Sequence, residues 1–271
     1  MISNQEFTRI AVFLKGKYGI DMTEKKIIMN GRLENYVWTH GFGSFTEFMD
    51  ALESDDSGEL EKQLVNLLTT NHTYFMRESE HFDYMKQTVI PWIKELEQSS
   101  HDMRVWCGAS STGEEPYSLA ILLREALGLE ASIWDTTVLA TDISEKALSK
   151  AIAGVYDAEQ VEPLPDSWKR RFFHKDAATG NWEVTQELKG SVVFRKFNLM
   201  NEFPFRKPMH VIFMRNVMIY FDEPTKKELI HKIYDVLVPG GYLFVGRTET
   251  VDRAGTDFEM IQPSIFRKPM V

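Results

Sequence analysis

Cysteine is nearly absent from this chain of 271 residues, with Cys107 the single example. A lone thiol excludes an internal disulfide and a cysteine-rich zinc site, and no metal is expected. No apolar run approaches the roughly 18 residues needed to cross a bilayer. The opening MISNQEFTRI lacks the basic and then apolar layout of a secretion signal. Basic charge is also short. Lys and Arg total 31 against 40 Asp and Glu, a net charge of −9, the wrong sign for a dedicated nucleic-acid binder. These absences lead us to expect a cytoplasmic protein with neither a nucleic-acid partner nor a membrane insertion. The chain is 43% hydrophobic, enough for one large domain or two smaller ones.

Charge is unevenly spread. Between Arg9 and Tyr36, Arg9, Lys15, Lys17, Lys25, Lys26 and Arg32 outnumber Asp21, Glu24 and Glu34. The next stretch reverses this, with Glu47, Asp50, Glu53, Asp55, Asp56, Glu59 and Glu61 against Lys62. Two solvated helix faces account for the pattern; so does a basic face that meets an acidic partner.

The first 70 or so residues read as helices. Ser3 with Glu6 and Ser44 with Glu47 have capping-box spacing. Gly19 closes the first helix. A second helix is expected from about Thr23 to Thr39, with Ile27, Ile28, Leu33, Tyr36 and Val37 as its apolar residues. Short helices with short connections imply a small bundle over residues 1–68. A polar stretch and a helix from about His81 to Gln98, broken or kinked at Pro91, fill residues 69–103. From Arg104 strands and helices alternate to the end, which implies a doubly wound, mostly parallel α/β sheet over residues 104–271. Residues 156–198 interrupt the alternation. Two β-like runs there, Trp182–Thr185 and Val192–Phe197, read as a small antiparallel insertion.

In such sheets the ligand lies beyond the carboxyl ends of the strands. The loop after the first strand, Cys107 to Pro116, lacks both G-x-G-x-x-G and the P-loop lysine. It presents Glu114 and Glu115 at a helix start instead. A carboxylate there repels a pyrophosphate and attracts an ammonium group, although either glutamate could also serve the helix dipole. Asp142 ends the second strand, where a carboxylate accepts from the two ribose hydroxyls; it could also serve the start of the next helix. An amino-acid end and a ribose end held by successive strand ends describe S-adenosylmethionine.

Five blocks then resemble the CheR-type chemotaxis receptor methyltransferases. They are residues 68–78 (LTTNHTYFMRE), 111–118 (STGEEPYS), 140–143 (ATDI), 215–222 (RNVMIYFD) and 239–243 (PGGYL). Their order and spacing fit from the N-terminal helices to the end, so the resemblance covers nearly the whole chain. The resemblance implies a Rossmann-like methyltransferase domain with a β-subdomain insertion, preceded by an all-α receptor-docking domain. It implies transfer of a methyl group from S-adenosylmethionine to glutamate side chains on chemotaxis receptors, leaving S-adenosylhomocysteine. Asn71, Thr73 and Arg77 would close over the cofactor, with Arg77 beside donor and acceptor. Ala109 and Glu115 would hold the methionine amino group and Asp142 the ribose. Asn198 and Leu199 would lie near adenine, Arg215 and Asn216 at the cofactor, and Tyr220 facing the methyl. Lys25, Lys26 and Arg32 become a docking face for glutamate-rich receptor helices.

His72 and Tyr74 fall where the family varies. Gly246-Arg247-Thr248-Glu249 stands where Gly-x-Ser-Glu is usual, with the Thr248 hydroxyl expected to serve for serine. In some members the β-subdomain binds a receptor's C-terminal peptide by strand addition. Nothing in the sequence demands an oligomer, and a monomer is expected. A non-catalytic S-adenosylmethionine-binding scaffold and an NAD-dependent oxidoreductase are the competing readings, the latter weakened by the missing G-x-G-x-x-G.

Overall fold

The computed structural model describes residues 1–252 and 255–270, so Val271, the expected end of the α/β domain, lies outside the described residues. Four helices come first: α1 (Asn4–Tyr18), α2 (Lys26–Thr39), α3 (Phe45–Glu53) and α4 (Glu59–Leu68). Ser3 and Glu6 form the full reciprocal capping box, and Gly19 caps α1 at φ 70°. Ser44 caps α3 through its hydroxyl, but the Glu47 carboxylate turns to the Gly43 amide instead of completing the box. In α2 only Met29, Leu33 and Val37 are buried. Ile27 is 89% exposed and Ile28 49%, so the expected apolar stripe is narrower than the sequence suggested.

A connecting segment leads to α5 (Ser79–Tyr84), a π-helical stretch (Met85–Val89) and α6 (Ile90–Leu96). Pro91 does not break this rod. It sits in the first turn of α6, directly after the widened turn in which the Ile90 amide bonds to the Met85 carbonyl. Widening accommodates a residue that has no N–H to offer the preceding turn.

Next come β1 (Val105–Cys107), α7 (Glu114–Leu127), β2 (Val138–Asp142) and α8 (Glu145–Ala153). The insertion holds β3 (Val155–Tyr156), α9 (Ala158–Val161), α10 (Asp166–Phe172), β4 (Phe173–Lys175), β5 (Trp182–Val184) and α11 (Gln186–Lys189). The chain ends with β6 (Val192–Lys196), β7 (Met209–Met214), α12 (Glu223–Val236), β8 (Leu237–Val245), β9 (Glu259–Gln262) and β10 (Ile265–Arg267). The main sheet has the order β6-β2-β1-β7-β8-β10-β9, and a separate sheet has the order β3-β5-β4. Strands β6 to β8 in that order run parallel, while β10 and β9 return antiparallel. The small sheet is antiparallel, as expected. Its membership differs: Val192–Lys196 is not part of it but pairs in parallel with β2 along the main sheet. The insertion therefore closes before residue 192.

Chain order reverses between β1 and β7, so the loops leaving their carboxyl ends diverge and open a crevice. Alternation along the strands divides the core. Val105, Cys107, Val211, Phe213 and Phe244 face α5 to α7. Trp106, Ile212, Met214, Leu243 and Val245 face α12 and the N-terminal helices. The bundle thus has no core of its own: Ile10, Leu14 and Leu33 belong to the same hydrophobic cluster as that face of the sheet. Gly19 marks the seam, since a Cβ there would lie 2.6 Å from Met200 Sδ and 2.9 Å from Thr225 Cγ2. Lys15 reaches across to Asp222 at 2.7 Å, and this hydrogen-bonded cation holds the Asp222 carboxyl down at about 2. Among the described residues no helix is long and apolar enough to cross a membrane.

Trp106 anchors the shared face. It is fully buried, donates its indole N–H to Thr141 Oγ1 at 2.9 Å, and meets Phe203 and Phe205 edge-on at 5.0 and 4.8 Å between ring centroids. Trp106→Ala should lower unfolding free energy in urea by about 3–5 kcal/mol, and Trp106→Phe by clearly less. Equal losses would show that the ring's volume is not the source.

Candidate active site

A cleft of ≈ 960 Å³, counting its open mouth, lies at the carboxyl ends of β1, β2 and β7. That is the size of a small-molecule site. Its wall includes every cofactor or catalytic residue expected from the sequence: Asn71, Thr73, Arg77, Ala109, Glu115, Asp142, Asn198, Leu199, Arg215, Asn216 and Tyr220. Five stretches far apart in sequence therefore converge there. Tyr18 and Ile20, at the end of α1 and just beyond it, line it as well. They were not anticipated, because Tyr18 fits the helical apolar stripe and carries no motif.

Asp142 ends β2 with both oxygens placed. Oδ1 accepts from the Ser144 amide and Oδ2 from the Ser111 amide, each at 2.8 Å. The two readings of this residue are thus compatible, since each oxygen keeps a lone pair for a diol. Burial pushes its carboxyl above the ordinary value of 3.8 against the pull of the backbone donors.

The two glutamates at the start of α7 part company. Glu114 turns away and takes Thr112 Oγ1 at 2.7 Å and Gln160 Nε2 at 2.9 Å. Only Glu115 faces the cleft. It accepts from Arg215 Nη1 at 2.7 Å and from the Cys107 thiol at 3.1 Å. Burial pushes that thiol well up, so it stays protonated and donates. Gly113 makes the tight entry into α7 possible at φ 100°, where a Cβ would lie 2.7 Å from the Tyr156 hydroxyl. That hydroxyl comes from the insertion and donates to the Thr112 carbonyl at 2.8 Å.

Arg77 sits between Met76 and Glu78, both at φ 57°. This left-handed conformation costs a side-chain-bearing residue about 1–2 kcal/mol. Arg215 Nη2 grips the Arg77 carbonyl and lies 3.1 Å from Glu78 Oε2. The Arg77 side chain donates to the His72 carbonyl at 3.0 Å and lies 5.7 Å from the Tyr74 ring centre. His72 and Tyr74, which carried no expectation, hold the arginine in place.

Tyr220 lies on a short 3₁₀ turn (Met218–Tyr220). Its carbonyl accepts from the Asp21 amide at 2.8 Å, and Phe221 bridges Ile20. The turn is held from below by Glu249, whose carboxylate accepts from the amides of Asn216 and Met218 at 2.7 Å, Gly246 at 2.6 Å and Ile219 at 3.3 Å. Thr248, expected to matter through its hydroxyl, is exposed; its neighbour Glu249 supports the site. Asn198 donates to the Lys17 carbonyl at 2.8 Å, tying the cleft to α1.

Two of the six basic residues pair with the acidic stretch. Arg9 meets Asp50 and Glu53 at 2.6 and 2.7 Å, and Lys17 meets Glu61. Arg32 donates to the Leu68 and Thr69 carbonyls and to Thr70 Oγ1 at 2.8, 3.3 and 2.8 Å, so it closes the end of α4. Lys26 meets Asn4 Oδ1 at 2.5 Å. Lys25 Nζ lies 5.4 Å from the Tyr220 ring centre, beside the cleft but not on its wall.

Two family profiles match. "CheR methyltransferase, all-alpha domain" covers residues 5–69, and "CheR methyltransferase, SAM binding domain" covers residues 71–266. A chemotaxis protein methyltransferase of Borreliella burgdorferi is 35% identical over 98% of this chain and 95% of that protein. One from Salmonella typhimurium is 32% identical over 98% of this chain and 90% of that protein. The Pseudomonas putida chemotaxis protein methyltransferase Cher2 is 31% identical over 96% of each.

Binding of a diol by Asp142 requires its charged form. The affinity for S-adenosylhomocysteine should therefore be level above the raised Asp142 pKa and fall as pH drops through it, approaching tenfold per pH unit below. Without ligand the sign for stability is opposite: burial favours the neutral carboxyl, so its contribution is greatest at acid pH and is lost as pH rises through the same range. Calorimetric titrations from pH 7.5 downward test this. An unchanged acid-side loss in Asp142→Asn would assign it to another group.

Proposed function

The chain belongs to the CheR methyltransferase family, and on that premise we propose that it esterifies the γ-carboxylate of specific glutamates on chemotaxis receptors. It is an S-adenosylmethionine-dependent methyltransferase of chemotactic adaptation. The glutamate acceptor and the receptor helices that carry it are our reading. The observation that carries it is the presence of Arg77 and Tyr220 on the wall of the cleft shared by Asp142 and Glu115. A cation and a phenol there suit a carboxylate approaching the methyl end of the cofactor.

When bound, S-adenosylmethionine supplies an electrophilic methyl group, whose bond to sulfur breaks, electrons passing to sulfur, as the bond to the glutamate oxygen forms. A glutamate with an ordinary pKa near 4.3 is more than about 99% ionised at neutral pH, so the chain need supply no general base. Its residues have to align the carboxylate with the S–C axis and exclude water, a contribution on the order of 7–11 kcal/mol. Arg77 and Tyr220 orient that carboxylate. Arg77 must do so without holding it too tightly, because the nucleophile loses its charge in the transition state. Its attachment to the His72 carbonyl tempers its pull on the substrate.

Lys25 and Lys26 form the docking face in this reading, acting as a monomer on glutamate-rich helices. The outer strand Phe173–Lys175 has no second strand partner among the described residues. We extend the proposal to that edge as the place for a receptor's C-terminal peptide.

Incubation with methyl-labelled S-adenosylmethionine and receptor-containing membranes should give base-labile label that is released as methanol, the mark of an ester. Cofactor binding without any transfer would favour the scaffold reading. Arg77→Ala should lower turnover by about a hundredfold or more, the scale of lost orientation; near-normal turnover would remove Arg77 from the mechanism. Reversing Lys25 and Lys26 to Glu should reduce receptor methylation and flatten its dependence on salt, with S-adenosylhomocysteine affinity kept. Loss of that affinity would place the two lysines in the pocket and not on the docking face.

A further inference from the structure

Glu115 has a neighbour that works against holding the methionine amino group, the role that the family resemblance implies for it. Arg215 Nη1 lies 2.7 Å from its carboxylate, and the Arg215 side chain is wholly buried. A carboxylate neutralised by a guanidinium attracts an ammonium group weakly, because the cation behind it repels the one in front. Arg215 is not committed to Glu115 alone. Its Nη2 lies 3.1 Å from Glu78 Oε2, and the Glu78 side chain is 9% exposed. Two carboxylates on one guanidinium leave one negative charge in excess.

Among the described residues no other cation pairs with Glu78. Asn216 Nδ2 at 3.5 Å and the Arg247 amide at 3.3 Å are neutral donors. The Arg247 guanidinium pairs with Glu80. His81 Nδ1 approaches to 3.7 Å, but burial, helped by the Arg215 charge, depresses the imidazole to about 4, so it is neutral at physiological pH. Glu78 also adjoins Arg77, whose carbonyl Arg215 holds. One buried ion cluster therefore joins the connecting segment, the start of α7 and the end of β7.

We propose that Glu78 is a positioning and specificity-determining residue: it balances the charge of Arg215, so that Glu115 keeps its own for the α-ammonium group of the cofactor. This rests on the S-adenosylmethionine-dependent reading above. A brace with no electrostatic task would hold the Asn216 and Arg247 segments equally for any ligand. A charge-balancing residue acts only on ligands that carry the ammonium group.

The test compares two probes on the full chain by calorimetry. S-adenosylhomocysteine has the amino-acid end, whereas 5′-methylthioadenosine keeps the adenosine and thioether and lacks it. Glu78→Gln is expected to weaken S-adenosylhomocysteine roughly tenfold while leaving methylthioadenosine within about twofold, one buried charge being worth about one decade in affinity. The KM for S-adenosylmethionine should rise in step, by more than kcat falls. Equal weakening of both probes, or of neither, overturns the proposal. Glu78→Asp keeps the charge. If Glu78→Gln does not fold, the ratio of the two affinities in Glu78→Asp decides: a ratio like that of the parent chain supports the proposal, and loss of the preference refutes it. Failure of the parent chain to bind S-adenosylhomocysteine would count against the functional reading instead.

Discussion

Arg215 cannot be hydrated where it lies, and much of the site follows from that. Its guanidinium is enclosed between Glu115 and Glu78 and above the rings of Phe82 and Phe213. A buried charge with a partner removed is destabilising by about 3–5 kcal/mol, so the groups that satisfy it are held in place as firmly as the hydrophobic core. Those groups come from separate parts of the chain. Glu115 lies in the first turn of α7, Glu78 and the Arg77 carbonyl belong to the connecting segment, and Arg215 directly follows β7. A single cation thus fixes the spacing of three walls of the cleft and maintains the left-handed backbone on both sides of Arg77. Glu249 does the corresponding work for the fourth wall, gathering four amides under the turn that carries Tyr220.

Legibility of the fold from sequence varied with how local each determinant is. Capping serines, Gly19 and the periodic helices depend on neighbouring residues and were readable. Val192–Lys196 was correctly expected to be extended but was placed in the wrong sheet, because a strand's own residues do not say which strand it joins. The last two strands went unread for a related reason. Glu259–Gln262 is exposed along its length and offers neither alternation nor an apolar run. Pro91 was expected to kink or break its helix; a π-helical stretch precedes it and the helical run continues through α6.

The site divides similarly. Residues in contiguous motifs, from Asn71 to Arg77 and from Arg215 to Tyr220, reached the cleft as the blocks implied. Residues acting through a fold-level contact did not announce themselves. Tyr18 looks like any core aromatic, His72 holds Arg77 through its carbonyl, and Glu78 stood inside a recognised block with no role attached. Arg32 shows the converse. Its charge suggested a partner outside the chain, and the structure supplies one inside, at the end of α4. The loop from Cys107 to Pro116 was half legible: two adjacent carboxylates were visible, but only helix geometry separates the one facing inward from the one turned to the insertion.

The shared core of the bundle and the sheet has a consequence for cofactor binding. Because Tyr18 and Ile20 form part of the cleft wall, an occupant rests against both parts of the molecule at once. Whatever energy it gains there also opposes their separation, since a ligand stabilises the state that binds it. Cofactor binding and the packing of the helical unit on the sheet are then linked in a single equilibrium.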